Sequence, residues 1–227
     1  MIQRKHWAPI AEVVDYLTDR LPAGARVLEL GPGTQPFRRA DVFVDFQDVA
    51  TVPADKLVKL DMATQRLPFE DKSFDFVVCR HMLEDMYNPF PVCEEMSRVA
   101  KAGYIETPSP VAELCRGVEG DKPIYRGYHH HRFIVWNHND ELRFLTKYPF
   151  VEHLNMDDKT LVDALNHSAL YWNTYFMWEG EIKFKHLQNP IDYDIGEYHK
   201  LLDQAVIDSA FSADAFCSRI IQKQDAA

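Results

Sequence analysis

The sequence has no apolar run approaching the roughly 18 residues that a membrane-spanning helix requires. Its opening residues lead into an amphipathic stretch instead of a continuous apolar one, so neither a signal peptide nor a membrane anchor is expected. It has no C-x-x-C pair: Cys79, Cys93, Cys115 and Cys217 are scattered, and Cys79 lies in a strand-like apolar run. That pattern argues against a disulfide framework and for reduced thiols in a cytoplasmic protein. The chain also lacks a basic run. Residues 1–110 hold 13 basic and 17 acidic side chains, residues 111–227 hold 12 and 18, and the formal charge is −10. A nucleic-acid partner would need a basic face to neutralise phosphates, so a small-molecule substrate is expected, with neither nucleic acid nor membrane as partner. A homodimer is compatible with these features.

What is present is ordinary for a globular protein: 227 residues, 46% of them hydrophobic and 26% charged. That length fits one α/β domain with an appendage. Ile10, Val13, Val14 and Leu17 fall at helical spacing and predict a helix over 7–20. Short apolar strands follow at Arg26–Leu30, Val42–Asp45, Leu57–Leu60 and Phe74–Cys79, the last launched from the turn Glu70–Ser73. A helix is expected over Pro91–Lys101 and a fifth strand over Gly103–Thr107, stopped by Pro108 and Pro110. Short buried strands separated by helices or turns indicate a mostly parallel sheet with helices on both faces. The texture changes from Val111. Hairpins are expected at 131–146, around Asn137–Asp140, and at 175–185, around Glu179–Glu181. A helix capped by Asp157 or Asp158 should run to about Leu170, and a last helix should lie between Glu197 and Ile221. The organisation expected is one domain, with an N-terminal helix in 1–24, a core in 25–110 and an elaboration in 111–227.

The chemistry concentrates at strand ends. Gly31-Pro32-Gly33 after the first strand lets the backbone turn sharply and approach a ligand. Asp45 closes the second strand, where a carboxylate can accept from both ribose hydroxyls, and Asp61-Met62 follow the third. Arg80 and His81 follow the fourth. Ligands of open α/β sheets bind outside the carboxyl ends of the strands, which is where Glu29, Gly31, Gly33, Asp45, Asp61, Arg80 and His81 fall.

In order, Glu29-Leu30-Gly31-Pro32-Gly33, Val44-Asp45, Leu60-Asp61-Met62, the run Leu67 to Val78 and Met82-Leu83-Glu84-Asp85 resemble the motifs of class I S-adenosylmethionine-dependent methyltransferases. The resemblance covers about residues 25–110. It implies a Rossmann-like, seven-stranded sheet with one reversed strand. It implies S-adenosylmethionine as cofactor and S-adenosylhomocysteine as product. By it, Glu29, Gly31 and Gly33 hold the methionine end, Asp45 the ribose, and Asp61 with Met62 the adenine, with Pro32 and Phe46 also cofactor-binding. Arg80 and His81 border the sulfonium. Two departures stand out. The loop has no third glycine, and Asp45 follows Gly33 by only 12 positions, so the helix after the first strand is very short or missing.

The expected reaction is O- or N-methylation of a metabolite such as a sugar or natural-product intermediate. His81 and His131 are the candidate catalytic groups, and Thr107, Pro108 and the histidine triplet candidate walls of the acceptor pocket. Three alternatives compete. A non-catalytic cofactor-binding or partner subunit would keep the same acids. A nicotinamide-dependent oxidoreductase needs G-x-G-x-x-G, but Pro36 stands where its third glycine would be. A nucleic-acid amino-methyltransferase needs an Asn/Asp-Pro-Pro-aromatic motif where Cys79-Arg80-His81 stand. No metal is expected: His129-His130-His131 sit near Asp121, but adjacent histidines without a carboxylate or cysteine at ligand spacing do not define a site.

Overall fold

The computed structural model describes residues 2, 9–120, 124–187 and 194–224, with side chains to 221. It divides into two compact units. One holds Ala8–Glu106 with Phe176–Lys183; the other holds Met1–Trp7, Thr107–Tyr175 and Phe184–Ala227.

The first unit begins with α1 (Ala11–Arg20), which buries Val13, Tyr16 and Leu17. The predicted start at residues 7 and 8 lies outside the described residues. Strands β1 (Val27–Leu30), β2 (Val42–Asp45), β3 (Leu57–Lys59), β4 (Phe74–Arg80) and β5 (Ala100–Pro108) follow, with α2 (Phe90–Val99) between the last two. The pairs β1–β2, β2–β3, β1–β4 and β4–β5 are all parallel. With β8 (Asn173–Glu179) the sheet runs β3-β2-β1-β4-β5-β8. Among the described residues it is a doubly wound, Rossmann-like α/β sheet of six strands, where the resemblance implies seven. The order reverses between β1 and β4, and at such a switch point the carboxyl ends splay to leave a crevice.

The shortened connection after β1 is real. Residues 31–41 contain turns but no helix. Phe37, 2% exposed, supplies the apolar cover that a helix would bring.

The run Leu67–Val78 owes its shape to two cations. Arg98 of α2 donates to the carbonyls of Leu67 and Phe69 and pairs with Asp71 and Glu95. Lys72, at φ 52°, donates to the carbonyls of Ser97, Ala100 and Gly180. Together they fix the turn that launches β4.

In the second unit, β6 (Phe133–His138) and β7 (Glu141–Thr146) form the predicted antiparallel hairpin. Asn139 and Asp140 both adopt positive φ, as a two-residue turn matching strand twist requires. Helices α3 (Pro110–Leu114), α4 (Asp158–His167) and α5 (Ile195–Gln224) complete it, with Asp157 capping α4 through Thr160. The core gathers Trp136, Leu145, Leu161, Trp172, Tyr198 and Leu202.

The second expected hairpin does not form. β8 joins the large sheet, whereas β9 (Phe184–Leu187) pairs in parallel with β7. The reason is burial: β8 is covered along nearly its whole length, as suits a strand with both faces covered. Its turn docks on the first unit's core instead of folding back. Gly180 N donates to the Lys101 carbonyl, and Ile182 N to Ser97 Oγ.

Candidate cofactor site

The carboxyl ends of β1, β2, β3 and β4 enclose a cavity of about 350 Å³. Gly31, Gly33, Asp45, Phe46, Asp61, Met62, Ala63, His81, Met82, Asp85 and Met86 line it. Seven of these are sequence-predicted cofactor residues. Ala63, Met82, Asp85 and Met86 are additions, and of them Met82 and Asp85 lie in the quoted motifs.

The glycine turn is dictated locally. Gly31 and Gly33 have φ of 63° and 54°, the left-handed region that side chains disfavour. A Cβ on Gly31 would stand 3.0 Å from Met82 Sδ, so any side chain there would press the Met82 side chain of the loop after β4 aside. Gly31 N donates to the Val44 carbonyl at 2.9 Å, and Leu60 N to the Asp45 carbonyl at 2.8 Å. These bonds align the three strand ends into one rim.

Asp45 is 6% exposed. Its Oδ1 accepts from Gln47 N at 3.1 Å, and among the described residues Oδ2 takes no hydrogen bond. A buried carboxylate oxygen left over on a cavity wall suits a ligand hydroxyl. Phe46 beside it is 69% exposed, a large apolar face placed for stacking. The Asp61 carboxylate holds its own turn, accepting from Ala63 N at 3.0 Å and Thr64 Oγ1 at 2.9 Å. That fixes Met62 and Ala63 on the wall.

Glu29, Pro32 and Arg80 do not line the cavity. Glu29 is fully buried and pairs with Arg80 Nη2 at 2.7 Å, while its other oxygen accepts from Phe37 N at 2.6 Å. Arg80 also donates to the Gln35 carbonyl. Burial raises the Glu29 pKa, with Arg80 pulling the other way. The pair thus clamps the loop from beneath. The sequence marks both at strand ends, but carries no signal that they face each other.

His81 adopts φ 50° directly after β4, turning the chain into the loop of Met82 to Met86. Its N donates to the Glu106 carbonyl at 2.8 Å. Its ring stands between two carboxylates, Nε2 3.1 Å from Glu106 Oε1 and Nδ1 3.7 Å from Glu84 Oε1. Desolvation opposes the imidazolium, but the hydrogen bond to Glu106 and the attraction of the nearby Glu84 carboxylate outweigh it and push the pKa up to about 10. The side chain is 35% exposed, so solvent screens part of that attraction. Glu106 moves the other way: burial works to raise it, and His81 and Tyr104 hold it below the usual range. His131 belongs to the other unit, where Glu113 joins its Nδ1 to Lys147 Nζ, the latter 2.6 Å from Glu113 Oε2.

The glycine turn, the spare Asp45 oxygen and the exposed Phe46 thus meet around one cavity at the switch point of a doubly wound sheet. Residues 28–105 match the methyltransferase domain family. An uncharacterised protein of Methanocaldococcus jannaschii is 34% identical over 95 residues, 40% of this chain and 46% of that protein. An S-adenosylmethionine-dependent methyltransferase from Thermotoga maritima is 24% identical over 41% of this chain and 48% of its own, with a TM-score of 0.34. A chain from the complex of the Haloferax volcanii Trm112 methyltransferase activator with a methyltransferase is 15% identical, covers 78% of this chain and 91% of that one, and has a TM-score of 0.44. The chain spans about half the length of the first two.

Proposed function

We propose that the chain transfers a methyl group from S-adenosylmethionine to an oxygen or nitrogen of a small molecule. The observation that carries this reading is the cavity itself: a glycine turn, the spare Asp45 oxygen and the exposed Phe46 share one wall. The residues fit the cofactor. Asp45 would accept from the ribose hydroxyls, Phe46 and Met62 would flank the nucleoside, and the backbone of Gly31 and Gly33 would approach the methionine end. Glu29, Pro32 and Arg80 would act from beneath, by holding the loop.

Bound there, S-adenosylmethionine brings both the electrophilic methyl and its thioether leaving group. It would deliver that methyl along its sulfur–methyl axis and leave as S-adenosylhomocysteine. The protein's part is to align the acceptor with that axis and exclude water, which can lower such barriers by about 7–11 kcal/mol. In this reading His81 works as a fixed cation that shapes the 82–86 loop, not as a proton acceptor. His131, tied to Glu113, works within its own unit. Residues 1–227 would act as one catalytic unit, and the protein as an enzyme without a nucleic-acid partner.

Calorimetric titration with S-adenosylhomocysteine tests the site, and a metabolite screen with labelled cofactor tests the reaction. Absence of binding to the parent protein would overturn the reading.

A further inference from the structure

The histidine triplet is left over by the methyl-transfer reading, and the structure gives two of its members a shared carboxylate. Glu119 Oε2 lies 2.5 Å from His129 Nδ1, and Glu119 Oε1 lies 3.8 Å from His130 Nδ1. One ligand-type atom from each of the three residues falls within 4.8 Å of the other two. Glu119 also accepts from the His129 backbone N–H at 3.0 Å. All three residues belong to one compact unit.

Adjacent side chains along an extended strand point to opposite faces. His129 and His130 converge instead because the chain turns there, their rings 5.3 Å apart. The turn is enforced from below. Gly127 has φ 58°, and a Cβ there would lie 2.5 Å from the Glu113 backbone, so only glycine fits. Gly127 N donates to the Cys115 carbonyl, and Arg116 bridges Arg126 across the base of the Glu119 loop. Arg126, 2% exposed, pins that base by donating to the Leu114 and Leu154 carbonyls. Glu119 and the two imidazoles thus flank a pinned loop base. Their side chains remain 16%, 45% and 50% exposed, which leaves an ion an entry path.

We propose that Glu119, His129 and His130 form a binding site for a divalent ion of the zinc class. Two imidazole nitrogens and one carboxylate are donors suited to zinc, cobalt or nickel rather than magnesium or calcium. With metal–ligand bonds of about 2.0–2.2 Å, tetrahedral donors stand roughly 3.4 Å apart. The observed separations bracket that value, so small side-chain rotations close the site. Three protein donors leave a fourth position for water. It acts as a clasp between the turn at Glu119 and the turn at His129–His130.

The test uses the tag-free full chain, stripped with chelator and titrated calorimetrically with Zn²⁺. One ion per chain is expected, with affinity reduced at least tenfold in Glu119→Gln and in His130→Ala. Zn²⁺ should raise the Tm of the parent but not of these variants, and the Co²⁺-loaded parent should show a visible absorption band that the variants lose. Far-UV circular dichroism matching that of the parent would confirm that the variants fold. The proposal is overturned if the parent binds no ion. It is equally overturned if a His129→Ala/His130→Ala double variant binds Zn²⁺ within tenfold of the parent, which would place any ion on scattered surface histidines.

Discussion

Glu29 and Arg80 meet at 2.7 Å beneath the glycine turn, the carboxylate fully buried and the guanidinium side chain 9% exposed. They come from neighbouring strands β1 and β4, and between them they hold Gln35 and Phe37 of the intervening loop. Removing one partner of a buried pair strands the other charge at a cost of about 3–5 kcal/mol. Glu29→Ala should therefore lower stability by that order, measured by urea unfolding. Glu29→Met/Arg80→Met should recover part of the loss. A single variant as stable as the parent would show that water already reaches the pair.

Asp45 makes the opposite prediction, since its Oδ2 stabilises nothing in the free protein. Asp45→Ala should lower stability by no more than the single Gln47 N–H bond to Oδ1, about 0.5–1.5 kcal/mol in urea unfolding. A hydrogen bond to a charged group is worth about 1.5–3 kcal/mol, so the loss should weaken S-adenosylhomocysteine binding roughly 10- to 100-fold. Equal affinity in parent and variant would remove Asp45 from the ribose role.

The His81 pKa is raised and that of Glu106 lowered, so the two define a pH window. The His81 contribution to stability is complete below its unfolded value of about 6.5 and fades as pH climbs toward 10. The Glu106 contribution is complete above its unfolded value of 4.5 and fades as pH falls. The pair is intact between, across neutral pH. NMR titration should find the His81 ring still protonated at pH 8. A midpoint near 6.5 would show that neither glutamate holds it.

Backbone geometry at Gly31 gives a fourth test. Gly31→Ala forces a side chain into φ 63° and against Met82 Sδ. The left-handed conformation alone costs about 1–2 kcal/mol. Met82→Ala should relieve the contact but not the backbone strain, so the double variant should regain only part of the lost S-adenosylhomocysteine affinity by calorimetry. Full recovery would mean that the turn itself is unstrained.

Much of the first unit was legible because its signals are local. Apolar strands bounded by turns, Gly-x-Gly and acids at strand ends need no distant partner to be recognised, and all five early strands appear within a few residues of their expected bounds. What was not legible depends on pairing across the chain. Nothing local says that Glu29 faces Arg80 across 51 positions instead of facing a ligand. The same holds for β8 and β9. A glycine-centred turn between two apolar runs reads as a hairpin, and only the burial of both β8 faces reveals that the runs part. Glu119 was missed because ten positions and two turns separate it from His129.

The loop from Gly31 to Asp41 does two jobs with one length of chain. Its early residues line the cavity, and Phe37 seals the hydrophobic interior where a helix would otherwise lie. Adenosyl recognition and core integrity therefore share a fate: whatever loosens this segment also unseats a core aromatic. A ligand that grips Gly31 and Gly33 should slow amide exchange in β1 and β2 as well as in the loop, which makes the apoprotein the more easily melted state.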